Sequence, residues 1–365
     1  MLLVSALAPG VALSNTDADY AEELLDLVVQ HCRAGDVAQA LAIRQAIEQQ
    51  LTPPPEIRQL LDQITHTGCP KTTTQAQGAV TEWALITGYD DNINQGLQAD
   101  TITLGSALKS ITLVLDSDYK PVGSHYVATT ATRQINTPSG WTLRGTLGHK
   151  QISSYSKFNN TSLHLSAKYP LHPLGIPSSL QVGWSQTWLD NHLDRRMPSL
   201  EWQSQLGKDE RDWKLHAQIQ QLHHSTNSSE NAQTTTLRAT RQFQWSPEAQ
   251  CLVGAGWLSD NAQQRAGGDR HGQTLQIMLQ QALTQGQLQL QWSQVSWKSA
   301  KDFSPNLIDY RRQNTTTQWT LGYQINLGPR SHFYLEYQRT SAKDNVPLYQ
   351  HTSNGLLAGW IQQWR

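Results

Sequence analysis

From residue 79 onward, apolar and polar side chains alternate one for one. Trp213, Leu215, Ala217 and Ile219 stand against Lys214, His216, Gln218 and Gln220, and Trp319, Leu321, Tyr323 and Ile325 stand against Thr320, Gly322, Gln324 and Asn326. A period of two sends successive side chains to opposite faces of a strand, here one apolar and one wet. Segments with this alternation fall at 81–93, 123–134, 140–151, 159–169, 179–189, 197–206, 211–222, 234–245, 249–258, 272–283, 286–297, 315–327, 331–341 and 352–364. These are fourteen segments, most of them roughly 10 to 13 residues, the length a tilted strand needs to cross a bilayer. The links between them tend to alternate, short at 136–140, 207–210, 246–248, 284–285 and 328–330, long at 94–122, 223–233, 259–271, 298–314 and 342–351. Short turns on one rim and longer loops on the other are the habit of outer-membrane barrels, and an even strand number returns both ends to the periplasmic rim.

Before residue 79 the period is helical. Ala21, Leu24, Leu25, Val28, Val29 and Cys32 recur at helical spacing over 17–33; Val37, Ala40, Leu41, Ile43 and Ile47 form a second run, and Ile57, Leu60, Leu61 and Ile64 a third. The Gly35-Asp36 turn, Ala40-Leu41 and Pro53 resemble half of a tetratricopeptide repeat. Residues 1–14 form an apolar run ending in small residues, as in a signal peptide without its basic start. The predicted organisation is a signal peptide at 1–14, a periplasmic helical tetratricopeptide-like module at 15–70, a polar linker at 71–78, and a barrel over 79–365. The predicted fold class is mainly β, a 14-stranded antiparallel transmembrane β-barrel with a small N-terminal α-helical module.

Composition narrows the function classes. A hydrophobic content of 38%, a mean hydropathy of −0.53 and the lack of any run of 18 apolar residues exclude a helical membrane protein. All 13 Trp lie between Trp83 and Trp364, against 4 Phe in the whole chain. Trp141, Trp213, Trp245 and Trp364 fall at one predicted rim and Trp188, Trp257 and Trp297 at the other, as two interfacial girdles require. A net charge of −1 leaves no electrostatic footprint for nucleic acid. Cys32, Cys69 and Cys251 show no metal spacing, and Cys32 and Cys69 are either a disulfide or two buried thiols. No cofactor or metal is implied.

The predicted inward face carries Arg144, Lys168, Lys214 and Arg238 against Glu201 and Glu336, with many Gln and few aromatics. His164 and His216 are the only inward groups singled out as bases, with Ser162 and Ser166 near the first and no carboxylate evident beside either. They are expected to line a pore, so the chain is read as a non-enzyme. The segment 96–122, apolar over 102–115, is either a folded-in plug or a hairpin that would raise the strand count to sixteen. Asp90, Asp91, Asn92 and Asn94 are expected either to shape the outer end of the first strand or to gate the lumen.

The run Gly88-Tyr-Asp-Asp-Asn-Ile-Asn94 in a first strand after helices, with the ending Ser341–Tyr349 and 351–359, resembles the surface lipoprotein assembly modifier family. The aromatic at Trp364 in the last strand resembles the signal that the barrel assembly machinery reads. The family resemblance implies a repeat domain joined to a fourteen-stranded barrel that moves lipoprotein or secreted protein substrates to the cell surface. The helical module here is shorter than that family's. The expected partners are the outer-membrane bilayer, the barrel assembly machinery and a protein or lipoprotein cargo. Exopolysaccharide export and an outer-membrane barrel enzyme are the alternatives.

Overall fold

The computed structural model describes Leu24, Leu27, Val28 and residues 37–50, 79–106, 109–173, 176–207, 213–262, 264–304 and 308–364. The chain divides into two compact units, residues 1–77 and 78–365. In the first, α1 spans Val37–Gln50, where the second helical run was expected. Ile47 and Val28 are fully buried, whereas Leu41, expected on the apolar face, is 44% exposed. The signal peptide, the third helical run, the linker, Cys32 and Cys69 lie outside the described residues, and α1 with the helical Leu24, Leu27 and Val28 of the first run does not establish a tetratricopeptide unit.

The second unit contains β1 (Ala79–Asp90), β2 (Thr101–Ser106), β3 (Lys109–Val114), β4 (Ser124–Asn136), β5 (Thr142–Ile152), β6 (Asn160–Leu171), β7 (Ser178–Leu189) and β8 (His192–Leu206). It continues with β9 (Trp213–His224), β10 (Ala232–Gln244), β11 (Ala249–Asn261), β12 (Arg270–Leu283), β13 (Gly286–Ser304), β14 (Ile308–Gly328), β15 (Ser331–Asp344) and β16 (His351–Trp364). β1 and β4 to β16 form one closed barrel, every neighbour antiparallel, and β2–β3 is a separate two-stranded sheet. The ring closes between β1 and β16 with unbroken pairing from Thr81↔Trp364 to Asp90↔Gly355. Each of the fourteen predicted segments overlaps one wall strand, and the hairpin stays out of the wall, so the count is not sixteen.

Loop lengths depart from expectation. Only 91–123 is long on the outer rim; the 298–314 stretch is mostly strand, because β13 and β14 run on together as a ribbon to Ser304 and from Ile308. β7 and β8 meet in a two-residue turn whose Asp190 and Asn191 both take positive φ, 48° and 63°, the geometry that matches the twist of a hairpin. β8 therefore begins at His192, earlier than predicted. Further down β8, Pro198 has no N–H to give, and the β8–β9 pairing passes from Arg196↔His223 to Ser199↔Gln220.

Directly paired residues share a face, so the exposed members define the exterior. Leu85↔Trp360, Leu290↔Leu321, Leu321↔Tyr337 and Leu200↔Ile219 lie outside, with Leu321 47% and Ile219 46% exposed. An exterior of Leu, Val, Ile and Trp all round the ring is inverted relative to a water-soluble barrel. The one apolar cluster found among the described residues of this unit lies at the outer end. There Leu97, Ile102, Leu104 and Leu115 of the 91–123 segment bury against Ile308 and Val346, flanked by Phe303, Tyr310 and Tyr349.

Candidate functional site: the inner wall and outer rim

Because the apolar partners point out, the intervening residues point in, and the inner wall is polar. Arg144 is paired with Gln134 and Ser166, and Lys168 with Thr142 and Gln181. Lys214 is paired with Gln205 and Thr240, and Arg238 with His216 and Gly256. A hydrogen-bonded band crosses the wall through some of these groups. Lys168 Nζ donates to Gln203 Oε1 at 3.5 Å, Gln203 Nε2 donates to Glu201 Oε1 at 2.6 Å, and His216 Nε2 stands 3.2 Å from the same oxygen. On the far side Arg238 Nη1 donates to Gln276 Oε1 at 3.3 Å.

His216 therefore has a carboxylate neighbour that sequence reading missed. Glu201 and His216 are not directly paired; they meet on a diagonal between β8 and β9, which only the register reveals. His164 Nδ1 lies 2.7 Å from Ser185 Oγ on the adjacent strand, rather than bonding Ser162 or Ser166 of its own strand. Ser185 pairs with Met197, four residues from Glu201 on β8, so the carboxylate is about 13 Å away along the strand at the usual rise. His216 Nδ1 has no hydrogen-bond partner. The two histidine pairs thus do not merge into a nucleophile, base and acid, the set that covalent catalysis needs.

Aromatics also face inward, against expectation. Tyr126 lies over Gly88 and Tyr334 over Gly359, and a Cβ at either glycine would collide with the ring. Lys150 Nζ sits 3.9 Å above the Tyr126 ring centre. Trp297 pairs with inward-facing Gly272 and has Arg270 stacked 5.1 Å from its ring centre, so it is not part of the outer girdle. The girdle at the other rim is real: Trp141 is 39%, Trp213 46% and Trp364 46% exposed.

The Asp90–Asn94 run is spent on structure. Asp90 Oδ1 accepts from Asn92 N at 2.8 Å and Ser353 Oγ at 2.7 Å, and Asp91 takes both Asn354 N and Asn354 Nδ2 at 2.7 and 2.8 Å. Asn92, 2% exposed, donates to Gly96 O and Thr352 O, both at 2.9 Å, and accepts from Gly96 N at 2.6 Å. Asn94 Nδ2 donates to Lys120 O at 2.7 Å, and its Oδ1 accepts from Val122 N at 3.0 Å. These side chains staple the last strand to the first and tie both ends of the 91–123 segment together. Lys120 also holds Asp100 at 2.6 Å, and this hydrogen bond with its charge draws the Asp100 carboxyl below its ordinary pKa. Elsewhere on the outer rim, Arg312 Nε bonds fully buried Asp344 at 2.7 Å and stacks 3.4 Å from the Tyr349 ring centre.

A closed ring with an apolar exterior, a polar interior and a Trp girdle has one physical home. The chain is an outer-membrane β-barrel. No family profile matches it, and no curated protein matches it in sequence. Solved structures with a similar course include a bacterial polysaccharide outer membrane secretin, at 10% identity and TM-score 0.46 over 78% of this chain and 98% of that one. They also include Pseudomonas aeruginosa OpdK with vanillate, at 9% identity and TM-score 0.41 over 79% and 99%. The Acinetobacter baumannii outer membrane protein Omp33 follows at 10% identity and TM-score 0.38 over 80% and 100%. At these scores the likeness says nothing of cargo, and the membrane assignment stands on the barrel's own faces.

Proposed function

We propose that the barrel is a conduit that moves protein or lipoprotein substrates to the cell surface, after insertion by the barrel assembly machinery, and that it does so without catalysis. The observation that carries the conduit reading is the inner wall of β12–β14. It presents Gln276, Gln280, Gln287, Gln289, Gln318 and Gln324, amides that can donate and accept but hold no charge. Fourteen strands enclose more space than side chains fill, and many weak hydrogen-bonding groups let a hydrophilic chain slide without trapping it. The protein cargo rests on the resemblance to surface lipoprotein assembly modifiers. The 88–94 motif behind that resemblance builds the seam, so it supports a shared barrel rather than a shared cargo.

Polysaccharide export is the second reading, favoured by inward Tyr334, whose ring lines a hollow of the inner wall beside Gln287, Gln289 and Gln324, amides suited to sugar hydroxyls. The test is a strain expressing the barrel with a candidate lipoprotein, scored by protease access on intact cells and by released polysaccharide. Surface exposure of the lipoprotein is expected, and it should survive His164→Ala and His216→Ala. Polysaccharide release without lipoprotein exposure would establish the second reading instead. Loss of exposure with either histidine variant, in a barrel that still migrates as folded, would point to catalysis and refute the conduit.

A further inference from the structure

The lipid-facing wall carries a groove that nothing in the conduit reading uses. It runs across β4 to β8 along one row of directly opposed outward residues, Arg133↔Gly145↔Leu165↔Trp184↔Pro198. Four inter-strand steps make the row about 19 Å long. The depression holds about 630 Å³ and exists because Gly145 and Ala167 are small among Leu143, Leu165, Val182 and Trp184. In a membrane such a hollow cannot stay empty without forfeiting dispersion contacts along its walls, and lipid chains are what surrounds it.

Arg133 closes one end. It faces outward with Val127 and Ile135, three residues short of the rim end of β4, and makes no hydrogen bond or ion pair among the described residues. Arg241 sits at the same distance from the end of β10, also facing outward, but its guanidinium lies 5.8 Å from the Trp213 ring and 5.1 Å from that of Phe243. Two outward cations at one depth thus differ. One is satisfied by aromatic faces, and the other is unpartnered at the mouth of an apolar groove. An unpaired guanidinium at that level needs an anion, since charge on the lipid face becomes costlier toward the bilayer centre.

We propose that the groove is a phospholipid site, with one acyl chain along the Gly145 floor and the anionic head-group phosphate on Arg133. The rim at that end is the one where β1 starts and β16 finishes, the periplasmic rim, so the occupant is an anionic phospholipid of the periplasmic leaflet. The site is independent of what the lumen passes.

The full chain, purified in mild detergent from vesicles of equal phosphatidylglycerol and phosphatidylethanolamine, is examined by native mass spectrometry for retained lipid. Wild type should keep phosphatidylglycerol in preference. Arg133→Gln should reduce that retention about tenfold, roughly the loss of one charge-assisted hydrogen bond, Gly145→Leu should reduce it about as much by filling the place of the acyl chain, and Arg241→Gln should leave it unchanged. A Cβ at Gly145 would meet only Leu165 Cδ2, at 3.4 Å, so the filled groove is compatible with the fold. Ala167→Leu replaces that variant if heat-modifiable migration shows it unfolded. Equal retention of the two lipids by wild type, retention unaltered in Arg133→Gln or in the folded groove-filled variant, or an equal loss in Arg241→Gln would overturn the proposal.

Discussion

Replacing Asn92 with Ala should release the outer segment while leaving the barrel standing. Asn92 is 2% exposed and its side chain makes three hydrogen bonds, two donated to Gly96 O and Thr352 O and one accepted from Gly96 N. The alanine removes all three and leaves backbone groups unpaired where little water reaches. At about 1 kcal/mol net for each bond, the segment loses about 3 kcal/mol. At 1.4 kcal/mol per tenfold, the detached population should rise about a hundredfold. Below Asn92 the β1–β16 ladder continues from Asp90↔Gly355 to Thr81↔Trp364, so the ring should remain closed. The assay is limited proteolysis of residues 91–123 in folded barrels, read in the regime where cleavage tracks the opened fraction. Heat-modifiable migration, run alongside, reports the wall. A cleavage rate within a factor of two or three of wild type would refute the staple. Loss of the folded band would show instead that the motif holds the whole closure.

Two further outcomes follow from the same geometry. Leu321, 47% exposed near the middle of β14, should cost roughly 2–4 kcal/mol as Leu321→Arg, while Gln324→Leu on the inner face should assemble almost normally; equal losses in urea-titrated refolding into vesicles would mean the faces are inverted. Asp344→Ala strands Arg312 beside a fully buried position and should cost roughly 3–5 kcal/mol locally, seen as faster amide exchange at the tips of β13 and β14 and in 345–350. Exchange unchanged there would show that the Arg312–Tyr349 stack suffices.

Strand number, strand faces and the inward placement of Arg144, Lys168, Lys214 and Arg238 were legible because the parity of a strand is a local property. Once Leu215 and Leu321 face lipid, every second residue must face the lumen. The rim motif at Asp90–Asn94 was legible as unusual but not as a staple, since its partners Ser353 and Asn354 arrive 263 residues later in sequence for Asp90 and Asp91. The hairpin β2–β3 has the apolar content of a wall strand pair, yet it is only 6 residues per strand, too short to span a bilayer, and its buried side meets Ile308 and Val346.

The amino-acid sequence alone therefore determined a fourteen-strand alternating pattern, a wet face and a greasy face, and a rim of Trp. Tertiary structure decided which diagonal neighbours meet. It set His216 against Glu201, brought Arg270 against the Trp297 ring, and left Arg133 open beside Gly145. The physical reason is register: each pairing offset follows from closing the whole ring, and a shift of two residues in one ladder would exchange every neighbour while leaving each strand's two faces as they are.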